Sequence, residues 1–234
     1  MKTSAKKTKA SAVLTSLRHD IISGVYQPGT KLQMEALKER YGVGYSPLRE
    51  ALFQLTTSGL VSIEEHCGFS VTPLSRDELN DLYRTRMMLE MQALDLAITH
   101  GDDSWEADVL ASWHRFSKYL MSVQKNKIQP EIWNDLQADY FYQLTKACQS
   151  PWLMKISQLL FDQSERYRYA CLNANRTNKK MISDYINENA SLVAAVIKRD
   201  KKQAAGILKS LWNNSLTSIA DTLLKIDPLT SSKS

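Results

Sequence analysis

Apolar residues recur at helical spacing along most of the chain, but the length of the uninterrupted apolar stretches changes once. Before Pro73, short apolar groups are separated by glycine and proline, so the helices predicted there are short. After Pro73 the apolar positions continue over long stretches, and the only glycines are Gly101 and Gly206. This change predicts two domains, at 11–74 and 75–226.

The first domain is predicted to hold three helices followed by a β-hairpin. The third helix has Ser46 as a suitable N-cap, Pro47 at its first helical position and Glu50 in its first turn. Gly59 ends it, and two short runs of β-branched and aromatic residues follow. The predicted helices cover 13–22, 34–41 and 46–58, and the strands cover 60–64 and 69–72. This order is typical of a winged helix-turn-helix.

The second domain is predicted to be an all-α bundle of six helices, at 76–100, 104–124, 130–148, 152–171, 179–199 and 201–224. Short connections make neighbouring helices antiparallel. The fold class is therefore mainly α, a winged helix-turn-helix plus this six-helix bundle. A disordered basic arm at 1–10 and a flexible tail at 227–234 complete the expected organisation.

Composition is that of an ordinary soluble globular protein, with 43% hydrophobic and 24% charged residues in a chain of 234. No apolar run approaches the roughly 18 residues that cross a bilayer, so no membrane association is predicted. The three cysteines are scattered and form no CxxC pair, which favours a reducing cytoplasm. The formal charge of +5 permits a polyanionic partner without requiring one.

Helix-turn-helix proteins place the start of their second helix in the major groove of DNA. Arg49 lies one turn into that predicted helix and can bind a guanine edge or a phosphate. Tyr45 can donate to DNA or simply pack at the helix end, and Arg49 can also be a solvated surface arginine. The candidate DNA contacts are Lys38, Arg40, Tyr45, Ser46, Arg49, His66 and Gly68.

An ordered series of residues carries a family resemblance, running through Gly24, Pro28-Gly29, Leu32, Leu37, Gly42-Val43, Ser46 to Leu52, Leu55, Gly59 to Val61, Gly68-Phe69 and Val71. It resembles the GntR superfamily. The resemblance implies a winged domain that binds short palindromic operators as a homodimer. Two departures matter. The wing tip Glu65-His66-Cys67-Gly68 is acidic, so backbone and His66 contacts are expected there rather than a cationic probe of the minor groove. In addition, Gly44-Tyr45-Ser46 stands where the family usually has Ser-Arg-Thr. Tyr45 replaces the customary arginine, so the operator is expected to differ.

The rest of the chain resembles the all-helical FCD domain of the FadR-like branch. The matching groups are Arg86 with Leu89-Glu90, Phe141 to Pro151, and Leu192 to Asp200. Within that branch, residues 38–41 and 101–107 with His114 are most similar to carbon-starvation-induced repressors. Those proteins act on genes of small dicarboxylate catabolism. The resemblance implies a domain that senses a small carboxylate, and dicarboxylates are among the candidates.

Many members of this branch hold a divalent metal through one aspartate and three histidines. The motifs place those positions at Gln137, Phe141, Asn189 and about Leu211, none of which is a usual metal ligand. No metal and no other cofactor is therefore predicted.

The same mapping selects the candidate effector contacts. Gln137, Tyr140 and Asn189 are expected to point inward, while Arg86, with Arg166 or Arg168, could supply positive charge. Two alternatives remain: Arg86 pairs with Glu90 one turn on, and Tyr140 belongs to the core.

These predictions combine into one function, a DNA-binding transcription regulator whose repression is relieved by a small carboxylate. One alternative is a protein-interaction module built on a winged helix. The other is a helical-bundle enzyme, which the sequence disfavours because it has no HExxH motif, no glycine-rich phosphate loop and no cluster of histidines.

Overall fold

The computed structural model describes residues 9–64, 68–124, 126–175 and 178–226. Its contacts divide the chain into two compact units, Met1–Leu74 and Ser75–Ser234. The predicted tail at 227–234 and residues 1–8 of the predicted arm lie outside the described residues. Lys9 and Ala10, which were assigned to the arm, instead begin the first helix, because Ala10 is buried in the core.

The first unit is a winged helix-turn-helix, as predicted. Its helices are α1 (Lys9–Ile22), α2 (Met34–Tyr41) and α3 (Tyr45–Thr57), and its strands are β1 (Val61–Glu64) and β2 (Gly68–Val71). The strands pair antiparallel with Val61 opposite Val71, and Lys31 adds a bridge to Ser70 that the sequence pattern did not indicate. The helices pack through fully buried leucines, at Leu17, Leu37, Leu48, Leu52 and Leu55.

Helix α3 starts earlier than the sequence predicted. Its N-cap is Gly44 rather than Ser46, and Pro47 stands in the first turn rather than at the first helical position. The first turn of a helix has no intrahelical partners for its N–H groups, so a proline there breaks no hydrogen bond. No side chain caps this end, and its remaining N–H groups are therefore available to a partner.

The second unit consists of helices in the described residues, as predicted, but they number seven and not six. They are α4 (Arg76–His100), α5 (Asp103–Val123), α6 (Pro130–Thr145), α7 (Pro151–Gln163), α8 (Glu165–Ala174), α9 (Lys179–Ile197) and α10 (Lys201–Ile226). A 3₁₀ turn, Lys146–Cys148, follows α6. None of the helices in the described ranges is long and apolar enough to cross a membrane.

The extra helix arises because the single helix predicted at 152–171 is broken at Ser164. The carbonyl oxygen of Phe161 accepts from two side chains, the Ser164 hydroxyl at 2.8 Å and the Arg168 guanidinium at 2.8 Å. In an unbroken helix that carbonyl would serve the N–H four residues on. Side-chain donors have taken its place, so α8 restarts at Glu165.

Candidate nucleic-acid interface and ligand cavity

The start of α3 presents polar side chains outward while its apolar side is buried. Tyr45, Ser46 and Arg49 are exposed, whereas Leu48 and Leu52 are completely buried against the other helices. Within the described residues Arg49 makes no hydrogen bond and no ion pair. Its guanidinium is therefore free to bind a partner outside the chain, as a contact to DNA requires.

Tyr45 is held by α2 across the turn. Its hydroxyl donates to the carboxylate of Glu35, and the Lys38 ammonium lies 4.9 Å from the centre of its ring. The hydrogen bond to Glu35 raises the pKa of the Tyr45 phenol. Tyr45 and Lys38 thus form one exposed surface beside Arg49.

Arg40 has a structural partner within the winged domain. Its Nε lies 2.9 Å from Oδ2 of Asp20, and the Tyr41 hydroxyl donates to the same oxygen at 2.8 Å. These bonds join α2 to α1, so Arg40 positions the motif. Of the two predicted wing contacts, Gly68 is exposed with a φ of +83°, and His66 lies outside the described residues.

The helical domain encloses a cavity of about 530 Å³ between α4, α6, α8, α9 and α10. A cavity of this size suits a small organic ligand. Its aromatic walls are Tyr83, Trp133, Tyr185 and Trp212. Its larger polar and charged walls are Gln137, Arg168, Asp184 and Glu188.

Arg86 does not belong to that lining. It is fully buried, and its Nε and Nη2 bind one oxygen of Glu90 at 3.1 and 3.0 Å. Its Nη1 donates to Ser164 at 2.7 Å, and the ring of Trp212 lies 4.4 Å from its guanidinium carbon. Arg86 therefore pairs with Glu90, the alternative that the sequence left open.

Arg168 is the positively charged group of the cavity. It is 5% exposed and hydrogen-bonds the carbonyl of Phe161, the hydroxyl of Ser164 and the amide oxygen of Asn134. No carboxylate in the described ranges forms an ion pair with it. Burial lowers the pKa of its guanidinium to about 10, and the charge of Arg86 acts in the same direction. It remains a cation at neutral pH.

Of the other predicted effector contacts, one lies in the cavity lining and three lie outside it. Gln137 lines the cavity and donates to the Tyr185 hydroxyl at 2.7 Å. Tyr140 is buried in the aromatic core, and Asn189 donates to the carbonyl of Tyr185 at 2.8 Å. Arg166 pairs with Glu78 on α4. Of the predicted contacts, Gln137 and Arg168, which the sequence offered as an alternative to Arg166, are in the lining.

Sequence reasoning missed Tyr83, Trp212, Asp184 and Glu188, which lie on three different helices of the lining. Asp184 and Glu188 carry a readable signal, because acids four residues apart share one face of a helix. The two aromatic residues carry no such signal, since aromatic side chains at helical spacing usually belong to a core.

Next to Arg168 on α8, Tyr167 reaches the first residues of the helical domain. Its hydroxyl accepts from the N–H of Ser75 at 3.2 Å and lies 2.8 Å from a carboxylate oxygen of Glu78. Arg166 pairs with the other oxygen of Glu78. The turn of α8 that holds Arg168 in the cavity wall therefore also fixes the start of α4.

The metal positions of the FCD resemblance do not fit a metal here. Gln137 uses its amide on the Tyr185 hydroxyl, and Asn189 uses its amide on the Tyr185 carbonyl. Phe141 and Leu211 offer only carbon. Among the described residues, no group of three or more histidine, cysteine, aspartate or glutamate side chains could hold a metal ion.

Comparison with known proteins matches both domains to families. Residues 9–71 match the model described as bacterial regulatory proteins, gntR family, and residues 81–214 match the FCD domain. The chain is 36% identical over 193 residues to the HTH-type transcriptional repressor GlaR of Escherichia coli K12, covering 82% of this chain and 87% of that protein.

A second relative is the uncharacterized HTH-type regulator BphR of Paraburkholderia xenovorans LB400, 32% identical over 207 residues, which are 88% of this chain and 83% of that protein. Among solved structures, E. coli McbR/YncC has the same fold, with a TM-score of 0.71 at 20% identity over 94% of this chain and 99% of that one. The chain therefore belongs to the gntR family of bacterial regulatory proteins, in its FCD branch, and is a DNA-binding transcription regulator.

Proposed function

We propose that this regulator is a homodimeric repressor whose binding to operator DNA is relieved by a small carboxylate in the helical cavity. Arg168 is the group that binds the carboxylate, and Arg49 is the group that reads the operator. The name of the relative GlaR, a transcriptional repressor, supports the sign of the regulation.

The observation that carries the proposal is a buried arginine without a carboxylate partner in the wall of the cavity. An ionised side chain out of water is costly unless it is paired. The buried acid Glu165 is separated from the guanidinium by Asn134, which bonds both side chains. A ligand carboxylate would bind the guanidinium directly and accept hydrogen bonds from it. Arg168 therefore favours an acid over a neutral ligand in this cavity.

The winged domain supports the DNA half of the proposal with two features of α3. Its first N–H groups have no side-chain cap, and such a helix start attracts phosphate. Arg49 stands exposed one turn further along, where a guanidinium can bind the O6 and N7 atoms of a guanine. Lys38 and Ser46 are exposed beside it and suit phosphate contacts.

The ligand acts by shifting a population. Two winged domains of a dimer must match half-sites about one helical turn apart, and a ligand that favours another arrangement weakens DNA binding. A coupling free energy of roughly 1–3 kcal/mol changes operator affinity roughly 5- to 150-fold.

The test begins with selection of an operator from a random DNA pool by the full-length protein. Fluorescence anisotropy then measures operator affinity with and without a panel of mono- and dicarboxylates. We expect at least one acid to weaken operator binding of the wild type, and Arg168→Gln to abolish the response while retaining operator binding. Arg84→Gln, at an exposed position on α4, is the matched control.

Because Arg168 is buried, its variant needs a check that it folds. Trp133 and Trp212 line the cavity, so their fluorescence reports binding in the wild type independently of any substitution. A wild-type protein whose fluorescence and operator affinity ignore every acid would overturn the proposed function.

A further inference from the structure

The charges of the cavity are distributed unequally between its interior and its exposed side. Arg168 is 5% exposed, whereas the side chain of Asp184 is 57% exposed. Glu188 is partly exposed and lies one turn beyond Asp184 on α9. The lining within the described residues thus combines one buried cation with two acids nearer to solvent.

We propose that the ligand is an ω-amino acid, whose carboxylate binds Arg168 and whose distant ammonium group faces Asp184 and Glu188. This inference rests on the proposed function and narrows its ligand class. An α-amino acid fits less well, because its ammonium and carboxylate groups are attached to the same carbon, while the charges of the lining differ in burial.

A dicarboxylate has the wrong charge for this lining. Its second carboxylate would need a second cation, and no other arginine or lysine in the described part of the chain lines the cavity. Arg86 is close to Arg168 in the core, but Glu90 already neutralises it. The second carboxylate would instead meet Asp184 and Glu188, and like charges repel.

Some buried polar atoms of the lining residues lack a hydrogen-bond partner, and they also favour a ligand with a carboxylate and an ammonium group. Nε of Arg168 and the hydroxyl of Tyr83 are buried donors without a hydrogen-bond partner. Oε1 of Gln137 is a buried acceptor without one. A buried polar atom that lacks a partner is unfavourable, because it has lost its hydrogen bonds to water. A ligand that carries both an accepting and a donating end meets both needs.

The neighbours of the two acids leave their charge available. Asp184 pairs with Lys180 at 2.8 Å, but the Lys180 side chain is 88% exposed and such pairs are weak in water. Glu188 accepts a hydrogen bond from the neutral amide of Asn214. The rings of Tyr185 and Trp133, 5.4 Å apart, add aromatic faces that attract an ammonium group.

The experiment compares ligands of equal length by isothermal titration calorimetry on the full-length protein. For four to six carbons, the ω-amino acid, the dicarboxylate and the simple monocarboxylate are titrated, for example 4-aminobutanoate, succinate and butanoate. We expect an ω-amino acid to bind at least tenfold more tightly than both of its counterparts. Asp184→Asn with Glu188→Gln should remove that preference, and Asp221→Asn, an exposed acid on α10, should keep it.

Three other results are distinguishable from one another. Tighter binding of a dicarboxylate or of a monocarboxylate would overturn the ω-amino acid and leave the carboxylate-responsive regulator standing. Failure of every acid to bind the wild type would overturn the proposed function together with this inference. Preference for the ω-amino acid that survives in the double variant would overturn the role of Asp184 and Glu188.

Discussion

The two arginines to which the proposed function assigns DNA and ligand binding occupy opposite environments. Arg49 at the start of α3 is exposed and makes no hydrogen bond or ion pair with the described residues, whereas Arg168 of α8 is buried and makes three kinds of hydrogen bond. A surface arginine needs only the few residues around it to reach a partner. A buried arginine needs a whole set of helices to hold it and to leave it unpaired. Recognition of DNA is thus a local property here, and recognition of a ligand is a tertiary one.

The largest effect should come from breaking the buried pair next to the cavity. Arg86→Ala leaves the Glu90 carboxylate buried without its cation, and we expect a loss of about 3–5 kcal/mol in the free energy of unfolding. All five tryptophans lie in the helical domain, so urea unfolding followed by tryptophan fluorescence measures it. Arg84→Ala, whose exposed pair with Asp81 is worth about 0–1 kcal/mol, is the control. Equal midpoints for the two variants would contradict the prediction.

The role of the exposed arginine in operator binding is tested by Arg49→Ala. Loss of one bidentate base contact of about 1–3 kcal/mol lowers affinity for the selected operator about 5- to 150-fold at each half-site. The circular dichroism spectrum should stay unchanged, because Arg49 is exposed and makes no hydrogen bond or ion pair in the described structure. Arg115→Ala, in the helical domain, serves as the control. Wild-type affinity in the Arg49→Ala variant would refute the assignment.

Alkaline pH should lower the free energy of unfolding of the helical domain. Burial raises the pKa of Tyr167 to about 12, while an unfolded tyrosine titrates near about 10. The folded state therefore keeps a proton that the unfolded state loses, and this contribution to stability, complete below pH ~10, is lost as the pH rises toward about 12. Urea midpoints at pH 9, 10 and 11, with phenolate absorbance at 295 nm, give the trend. A stability that rises through this window would be the contrary result.

The smallest effect is expected from Tyr45→Phe, which removes only the hydrogen bond to Glu35. That exposed bond should contribute less than about 1 kcal/mol to stability, so the thermal midpoint should hardly move. Operator affinity should fall up to about fivefold if the hydroxyl serves DNA. Tyr142→Phe, a half-exposed tyrosine of the other domain, controls for the substitution itself. Tighter operator binding by the Tyr45→Phe variant would reverse our view of this hydroxyl.

The same contrast explains what the sequence could predict. Glycine and proline at fixed positions mark the turns of the winged domain, and these local signals predicted its element order correctly. The error at Gly44 concerned the start of a helix, where proline is tolerated at more than one position. The apolar pattern predicted the long helices of the second domain almost to their ends.

What the sequence could not predict depends on side chains from distant elements. The break at Ser164 arises because Arg168 and Ser164 itself compete for the carbonyl of Phe161. No helical pattern encodes such a competition. The sequence also could not show which of Arg86 and Arg168 remains available to a ligand. Glu90, one turn from Arg86, forms an ion pair with it, and this pair is decisive because Arg86 and Glu90 are both buried.

The double attachment of α8 has a genetic consequence. Arg166 and Tyr167 fix the first turn of α4 through Glu78 and Ser75, while the next residue, Arg168, lines the cavity. Under the proposed function, a screen for alleles that keep the target genes repressed in the presence of the effector should recover changes at Arg166, Tyr167 and Glu78. The encoded proteins should still bind the effector with normal affinity, and their defect would be a failure to release the operator.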